Sequence, residues 1–167
     1  MNYKPILVNA GEPNSIFLEI FFKSLKLKKI KSPIILISSE KILKKQMKKL
    51  KFKKKINLLN KDNFDYTKLN NASINLINVN YDQEKVFEKI SKKTNKFIEK
   101  TFQISFKILK QGKINKFING PISKKNFLSS KFLGITEYIS NKFSVNNNCM
   151  LIYNKSLSVC PITTHLP

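Results

Sequence analysis

In the first sixty residues, short apolar runs alternate with stretches in which apolar residues recur every three or four positions. Continuous apolar runs predict three buried strands, at residues 4–9, 33–38 and 55–60. The intervening periodicity predicts helices over residues 15–29 and 39–50. Ser15 and Ser39 stand where a side-chain oxygen caps a helix N-terminus. This part of the chain therefore predicts strand, helix, strand, helix, strand.

The second half continues the alternation with longer elements. Alternating apolar residues predict a strand at 72–79, and an apolar stripe predicts a long helix from 83 to 111, ended by Gly112. The remaining predictions are a strand at 114–119, helical segments at 123–129 and 137–143, and two strands at 149–153 and 157–162 joined by a turn. Strands alternating with helices indicate an α/β layered fold with a largely parallel sheet.

Ligands of such folds gather at the carboxyl ends of the strands. Three predicted strand ends carry polar or turn-forming residues, at 9–14, 119–124 and 163–165. No repeat and no clear linker divides the chain, so we expect residues 1–167 to be one portion of a single protein without a definite internal boundary. The stretch 112–120 is the place where a change of lobe would fall.

The composition supports a folded chain and weakens one class of function. Of 167 residues, 41% are hydrophobic, which is enough for a core. The net charge of +22 would attract phosphates, but all 32 basic residues are lysine, and they are spread along the chain. Arginine, which grips phosphate and guanine as a fork, is absent from the sequence. A nucleic-acid-binding module is therefore the lesser alternative, and we expect no nucleic-acid partner.

Segments that would direct the chain to a membrane or out of the cell are not evident. No apolar run approaches the 18 or more residues of a membrane helix, and the first residues lack the features of a signal peptide. The two cysteines, Cys149 and Cys160, are eleven positions apart without a metal-type spacing, so we expect small buried residues within strands and no disulfide. We therefore expect a cytoplasmic protein without a membrane partner.

Few residues are candidates for chemistry. His165, the single histidine, follows two threonines at a strand end, and imidazole is a common metal ligand. One histidine cannot make a metal site, so further ligands would lie outside this chain. Residues 120–124, GPISK, join a strand to a helix, where backbone N–H groups, a hydroxyl and an ammonium would suit an anion. The turn at Gly11 has the same form. Neither a GxGxxG nor a GxxxxGK[ST] motif occurs.

Three segments, in this order, carry recognisable motifs. Residues 11–20, GEPNSIFLEI, are similar to a GDPAGIGPEI motif. Residues 119–140, NGPISKKNFLSSKFLGITEYIS, are similar to TGPxxK followed by a GHTE element. Residues 158–167, SVCPITTHLP, are similar to a strand ending in TTHxPL. Together the three segments resemble the 4-hydroxythreonine-4-phosphate dehydrogenase family, and the resemblance covers the whole chain and about the first half of a family member.

The resemblance implies a truncated isocitrate/isopropylmalate dehydrogenase-like layered fold, the N-terminal portion of a two-lobed dehydrogenase. It also implies a homodimer with active sites at the subunit interface. The implied reaction is NAD-dependent oxidation of 4-phosphooxy-L-threonine, a small phosphorylated amino acid, in pyridoxal 5'-phosphate synthesis. The oxidised product loses CO2 to give 3-amino-2-oxopropyl phosphate. A divalent metal (Zn, Mg or Co) held by three histidines would polarise the substrate oxygens.

Within that resemblance, His165 matches the first metal ligand, Thr136 the substrate-binding threonine, and Lys124 the lysine of the middle motif. The chain departs from the family where Ile135 replaces a histidine, Glu12 an aspartate and Asn119 a threonine. A catalytically silent relative, or one acting on another phosphorylated hydroxy acid, is therefore the alternative function. We expect the 167-residue chain by itself to be inactive.

Overall fold

A five-stranded, all-parallel sheet organises the structure, a computed structural model that describes residues 3–27, 30–128 and 131–161. The strands are β1 (Ile6–Asn9), β2 (Ile34–Ser38), β3 (Ile56–Leu59), β4 (Ile74–Asn78) and β5 (Phe117–Asn119). Their order across the sheet is β3-β4-β2-β1-β5. The predicted α/β class with a parallel sheet is thus confirmed. Strand β1 lies between β2, the next strand in the sequence, and β5, the last one.

Four α-helices accompany the sheet: α1 (Phe17–Leu27), α2 (Glu40–Lys49), α3 (Asn95–Lys110) and α4 (Ile135–Phe143). The predicted cap of α2 is confirmed, because the Ser39 hydroxyl accepts a hydrogen bond from the Ile42 N–H at 3.3 Å. Ser15 lies just before α1, and its hydroxyl accepts from the Phe17 N–H at 3.2 Å. Both serines satisfy backbone donors that a helix start leaves unpaired.

The core has two sides because β2 is buried along its whole length. Leu36, together with Leu76 of β4, packs with α1 and α2 residues in one apolar cluster that includes Phe22 and Leu43. Residues that alternate with these point the other way along a strand, and α3 packs against β1 and β2. Phe102 of α3 is fully buried. Helices therefore cover the two faces of the central strands.

The chain divides into two compact units, Met1–Ser123 and Lys124–Pro167. The first contains the whole sheet and α1 to α3. The second contains one π-helical turn (Lys124–Leu128), α4, and a single antiparallel bridge between Ile152 and Val159. Tyr138 of α4 is buried there, with its ring edge-on to the rings of Phe127 and Phe132.

Three predicted elements, one helix and two strands, are wrong in extent. The helix predicted over 83–111 begins only at Asn95, because the N–H of Glu88 and the side chain of Gln83 bond to Asn14 instead of joining a helix. The two strands predicted at 149–153 and 157–162 reduce to the Ile152–Val159 bridge within the described residues. Their side chains are largely exposed, so no buried face favours a longer ladder.

Among the described residues, no helix has the length and apolar character needed to cross a membrane.

Candidate functional site

The loops that follow β1 and β5 meet at the carboxyl edge of the sheet. The Gly120 N–H donates to the Asn9 carbonyl at 2.7 Å, and the Glu12 N–H donates to the Pro121 carbonyl at 2.9 Å. The strands that follow β1 in the chain extend to one side of it, whereas β5 lies on the other. A parallel sheet opens a ligand crevice at such a reversal. The structure therefore brings together two of the three predicted strand ends.

Two glycines allow this close approach. Gly11 has a φ of +68°, and a Cβ atom there would lie 2.5 Å from the Pro121 carbonyl oxygen. A Cβ atom on Gly120 would overlap the Ala10 carbonyl. A side chain at either position would push the two loops apart, so both glycines are required by the contact between them.

Glu12 lies at the centre of this contact and is only 2% exposed. Its Oε1 accepts a hydrogen bond from the Asn14 N–H at 3.1 Å, and its Oε2 accepts from the Thr94 hydroxyl at 2.7 Å. Thr94 immediately precedes α3. A buried carboxyl group is costly unless both oxygens are bonded, and here both are. Glu12 therefore links the loop after β1 to the start of α3.

Side chains from two further segments hold the residues after Glu12. Gln46 of α2 donates its Nε2 to the Pro13 carbonyl at 2.8 Å. Gln83, which follows β4, donates its Nε2 to the Asn14 Oδ1 at 2.8 Å, and the Glu88 N–H donates to the same oxygen at 2.8 Å. The loop is thus fixed both from α2 and from the segment that follows β4.

These bonds change the expected chemistry of the Gly11 turn. The Gly11 N–H donates to the Asn9 side chain at 2.9 Å, and the Ser15 N–H donates to the Glu12 carbonyl at 3.1 Å. The N–H groups of Glu12 and Asn14 are occupied as described, and Pro13 has none. The turn therefore does not offer these donors to an external anion. In this respect it differs from the predicted open turn, because the Glu12 carboxyl group, the Asn9 side chain and two backbone carbonyls already occupy its donors.

A cleft of about 560 Å³ adjoins this region and is lined by residues between Tyr81 and Lys93. Asp82 at its wall receives Lys45 at 2.7 Å and Lys41 at 3.3 Å. The hydrogen bonds from Lys45 and from the Gln83 N–H lower the pKa of Asp82 to about 2. Burial, followed by the negative charges of Glu88, Glu12 and Asp82, raises the pKa of Tyr81. At neutral pH the cleft thus has an ionised, paired Asp82 and a protonated Tyr81.

The residues predicted to bind substrate lie in the second unit. Thr136 is in the first turn of α4 and is half-buried, directly after Ile135. Gly134 precedes the helix and makes no side-chain cap hydrogen bond. Lys124 begins the π-helical turn and is exposed. His165 lies outside the described residues, as do Thr163 and Thr164.

The described residues do not fit a metal ion. Across 3–27, 30–128 and 131–161, no three His, Cys, Asp or Glu side chains come together as possible ligands. Cys149 and Cys160 are free but exposed, so the prediction that they are buried within strands is wrong. Metal binding through His165 therefore stays a prediction.

Sequence reasoning missed four residues that build the loop geometry: Asn14, Gln46, Gln83 and Thr94. One signal was available for Gln46, a polar residue on the same helix face as the buried Ile42, Leu43 and Met47. A polar residue on an apolar face needs a hydrogen-bond partner, and the partner proves to be the Pro13 carbonyl. Gln83 and Asn14 carried no such pattern, because they lie in irregular segments.

Comparison with known proteins finds relatives named as 4-hydroxythreonine-4-phosphate dehydrogenases. A curated 4-hydroxythreonine-4-phosphate dehydrogenase of Sulfurihydrogenibium sp. (strain YO3AOP1) is 31% identical over 165 residues, which are 97% of this chain and 50% of that protein. A solved 4-hydroxythreonine-4-phosphate dehydrogenase from Burkholderia phymatum matches with a TM-score of 0.83 and 19% identity over 99% of this chain and 51% of its own. A solved 4-hydroxythreonine-4-phosphate dehydrogenase from Klebsiella pneumoniae matches with a TM-score of 0.81 and 19% identity, over 98% of this chain and 52% of its own.

The solved structures establish that the fold is shared, and the chain spans about half the length of the relatives it matches. The family model described as pyridoxal phosphate biosynthetic protein PdxA matches residues 29–167, a span that includes the motifs at 119–140 and 158–167 but begins after the Gly11 turn. On this match over most of its length, the chain belongs to the PdxA family of pyridoxal phosphate biosynthetic proteins.

Proposed function

We propose that this chain is the N-terminal portion of a 4-hydroxythreonine-4-phosphate dehydrogenase. The observation that carries the proposal is the family match over residues 29–167, supported by a relative of that name that aligns with 97% of the chain. In the proposed reaction the C3 hydroxyl of 4-phosphooxy-L-threonine loses a hydride to NAD and a proton to solvent. The product, a 3-oxo acid, loses CO2 to give 3-amino-2-oxopropyl phosphate.

The start of α4 is the part of the described structure that suits the substrate. The N-terminal end of a helix carries partial positive charge and unpaired N–H groups, which favour an anionic group. Thr136 adds a hydroxyl in that first turn. Lys124, exposed in the same unit, adds an ammonium group. We assign both residues to substrate binding.

NAD and the divalent metal (Zn, Mg or Co) complete the proposal as cofactors, and a cytoplasmic homodimer is its working form. His165 is the residue of this chain assigned to the metal, and the remaining ligands would come from sequence outside the chain. The metal would supply Lewis-acid polarisation of the substrate oxygens. We assign none of the described residues to a contact with NAD or with the metal.

A second candidate is a catalytically silent or repurposed relative. The observation that favours it is Ile135, the first residue of α4, because an isoleucine cannot donate or accept a hydrogen bond at a position where the family motif has histidine. In this case the fold persists, but oxidation of this substrate is lost.

The test is NADH formation from 4-phosphooxy-L-threonine with Zn, Mg or Co, for the 167-residue chain and for any longer product read from the source DNA. We expect turnover by a longer product, a KM raised at least about tenfold by Thr136→Val, and a higher turnover in Ile135→His. Thr67→Val, in an exposed turn of the first unit, is the matched control and should leave KM unchanged. A folded, metal-loaded longer product without NADH formation would favour the silent relative.

A further inference from the structure

We propose that Glu12 is a positioning residue that acts through the geometry of its hydrogen bonds and not through its charge. All four polar groups of Glu12 are bonded: the N–H to the Pro121 carbonyl, the carbonyl to the Ser15 N–H, Oε1 to the Asn14 N–H, and Oε2 to the Thr94 hydroxyl. One residue thus joins the loop after β1, the loop after β5 and the start of α3. The proposal deepens the proposed function and rests on it only for its kinetic measurement.

The contacts leave Glu12 unsuited to chemistry of its own. The side chain is 2% exposed, and each carboxyl oxygen already has a donor. No Lys or His is among its hydrogen-bond or ion-pair partners in the described structure. A general base needs access to the proton it removes, which burial denies here. The role left to the group is to hold its neighbours in place.

The surroundings of Thr94 explain why charge should be dispensable. The Thr94 hydroxyl lies 2.7 Å from the Glu12 Oε2 and 3.0 Å from the Ser91 carbonyl oxygen, so it can donate to either. In Glu12→Gln, the amide Nε2 would donate to the Thr94 oxygen, and the hydroxyl would turn to Ser91. The amide oxygen would still accept from the Asn14 N–H. The neutral side chain therefore preserves every bond of the network.

Length and hydroxyl chemistry should matter instead. Glu12→Asp shortens the side chain by one methylene, so it cannot reach Asn14 and Thr94 together. Thr94→Val keeps the shape but removes the one donor to Oε2 among the described residues, which leaves a buried oxygen unpaired. Thr94→Ser keeps the hydroxyl and should behave like the unaltered protein. Glu99, exposed on α3, provides the control Glu99→Gln for loss of a carboxyl group elsewhere on the same helix.

The backbone N–H groups of residue 12 and Gly120 report the contact directly, because the first bonds to Pro121 in the opposite loop and the second bonds to Asn9, the last residue of β1. We would measure their hydrogen exchange by NMR in the full 167-residue chain, with β2 amides as the internal reference. Glu12→Ala, Glu12→Asp and Thr94→Val should accelerate exchange at both sites at least about tenfold relative to β2, and Glu12→Gln, Thr94→Ser and Glu99→Gln less than about twofold.

Equal acceleration in Glu12→Gln and Glu12→Ala would overturn the proposal, because charge would then be essential. Unchanged exchange in Thr94→Val would overturn it as well, and this variant decides the matter if Glu12→Ala does not fold. In a longer product that turns over, Glu12→Gln should retain kcat, whereas Glu12→Ala should lose it at nearly constant KM. Absence of turnover in the unaltered protein would reject the proposed function and leave the exchange result standing.

Discussion

The two units of this chain differ in how many of their apolar side chains are buried and in how many of their polar side chains form hydrogen bonds. The first buries a complete strand, β2, and cross-links its functional edge through Glu12, Gln46, Gln83 and Thr94. The second buries little beyond Leu128 and Tyr138, and it exposes Leu151, Tyr153 and Leu157 by 61%, 73% and 70%. The residues assigned to substrate therefore stand on the less consolidated unit, whereas the loops at the sheet edge are fixed by the first unit itself.

The largest effect should come from the core of the first unit. Phe102 is fully buried, and its ring packs near the rings of Phe106 and Phe117. We expect Phe102→Ala to lower the free energy of unfolding by about 3–5 kcal/mol, measured by urea denaturation. Tyr138→Ala, in the second unit, should leave that transition in place and instead open residues 131–161 to limited proteolysis. If Tyr138→Ala also lowered the free energy of unfolding of the first unit, the two units would unfold together.

A smaller effect should come from the contact between the two loops. Gly120→Ala places a methyl group on the Ala10 carbonyl, and the required displacement should cost about 2–3 kcal/mol of unfolding free energy. Gly112→Ala is the control for replacing a glycine without crowding, because no atom lies within 4 Å of its absent Cβ, although its φ of +74° adds a backbone strain that Gly120 does not have. It should cost only about 1 kcal/mol, from backbone conformation alone. Equal losses in thermal or urea unfolding would mean that the loops are less closely apposed than described.

The smallest effect should come from the exposed ion pairs of Asp82 with Lys41 and Lys45. Because the folded pKa of Asp82 is lowered from 3.8 to about 2, its contribution to stability is present above pH 4 and is lost as the pH falls through 2. The Tm of the unaltered protein should therefore exceed that of Asp82→Asn at neutral pH, and the difference should shrink between pH 4 and pH 2 and vanish below pH 2. Lys45→Met should bring the folded pKa of Asp82 closer to 3.8 and so make this pH-dependent difference smaller. A difference as large at pH 2 as at neutral pH would contradict the assignment.

The accuracy of the sequence predictions follows the strength of the local signal. β2, β4 and α2 came out close to their predicted places, because continuous apolar runs, regular periodicity and the Ser39 cap all agree there. The helix predicted from residue 83 failed because Gln83 and Glu88 are drawn to Asn14, about seventy positions earlier in the chain. No local pattern contains a partner so distant.

The candidate site shows the same division. Motifs pointed to the turns at Gly11 and Gly120, and β-strand order then placed them side by side. The motif at Gly11 suggested an open turn for an anion, yet the Glu12 carboxyl group, the Asn9 side chain and nearby backbone carbonyls occupy the donors. Periodicity reports which residues are buried, but it does not report the hydrogen-bond partner of a polar residue in a loop.

The sequence by itself determined the α/β class, most strands and helices, and the family to which the chain belongs, because these depend on local periodicity and on ordered motifs. Tertiary structure alone decided that Glu12 reaches Thr94 across 82 positions and that Gly11 and Gly120 must both lack side chains. Those features depend on how closely distant segments approach, which is fixed only when the sheet and its covering helices pack.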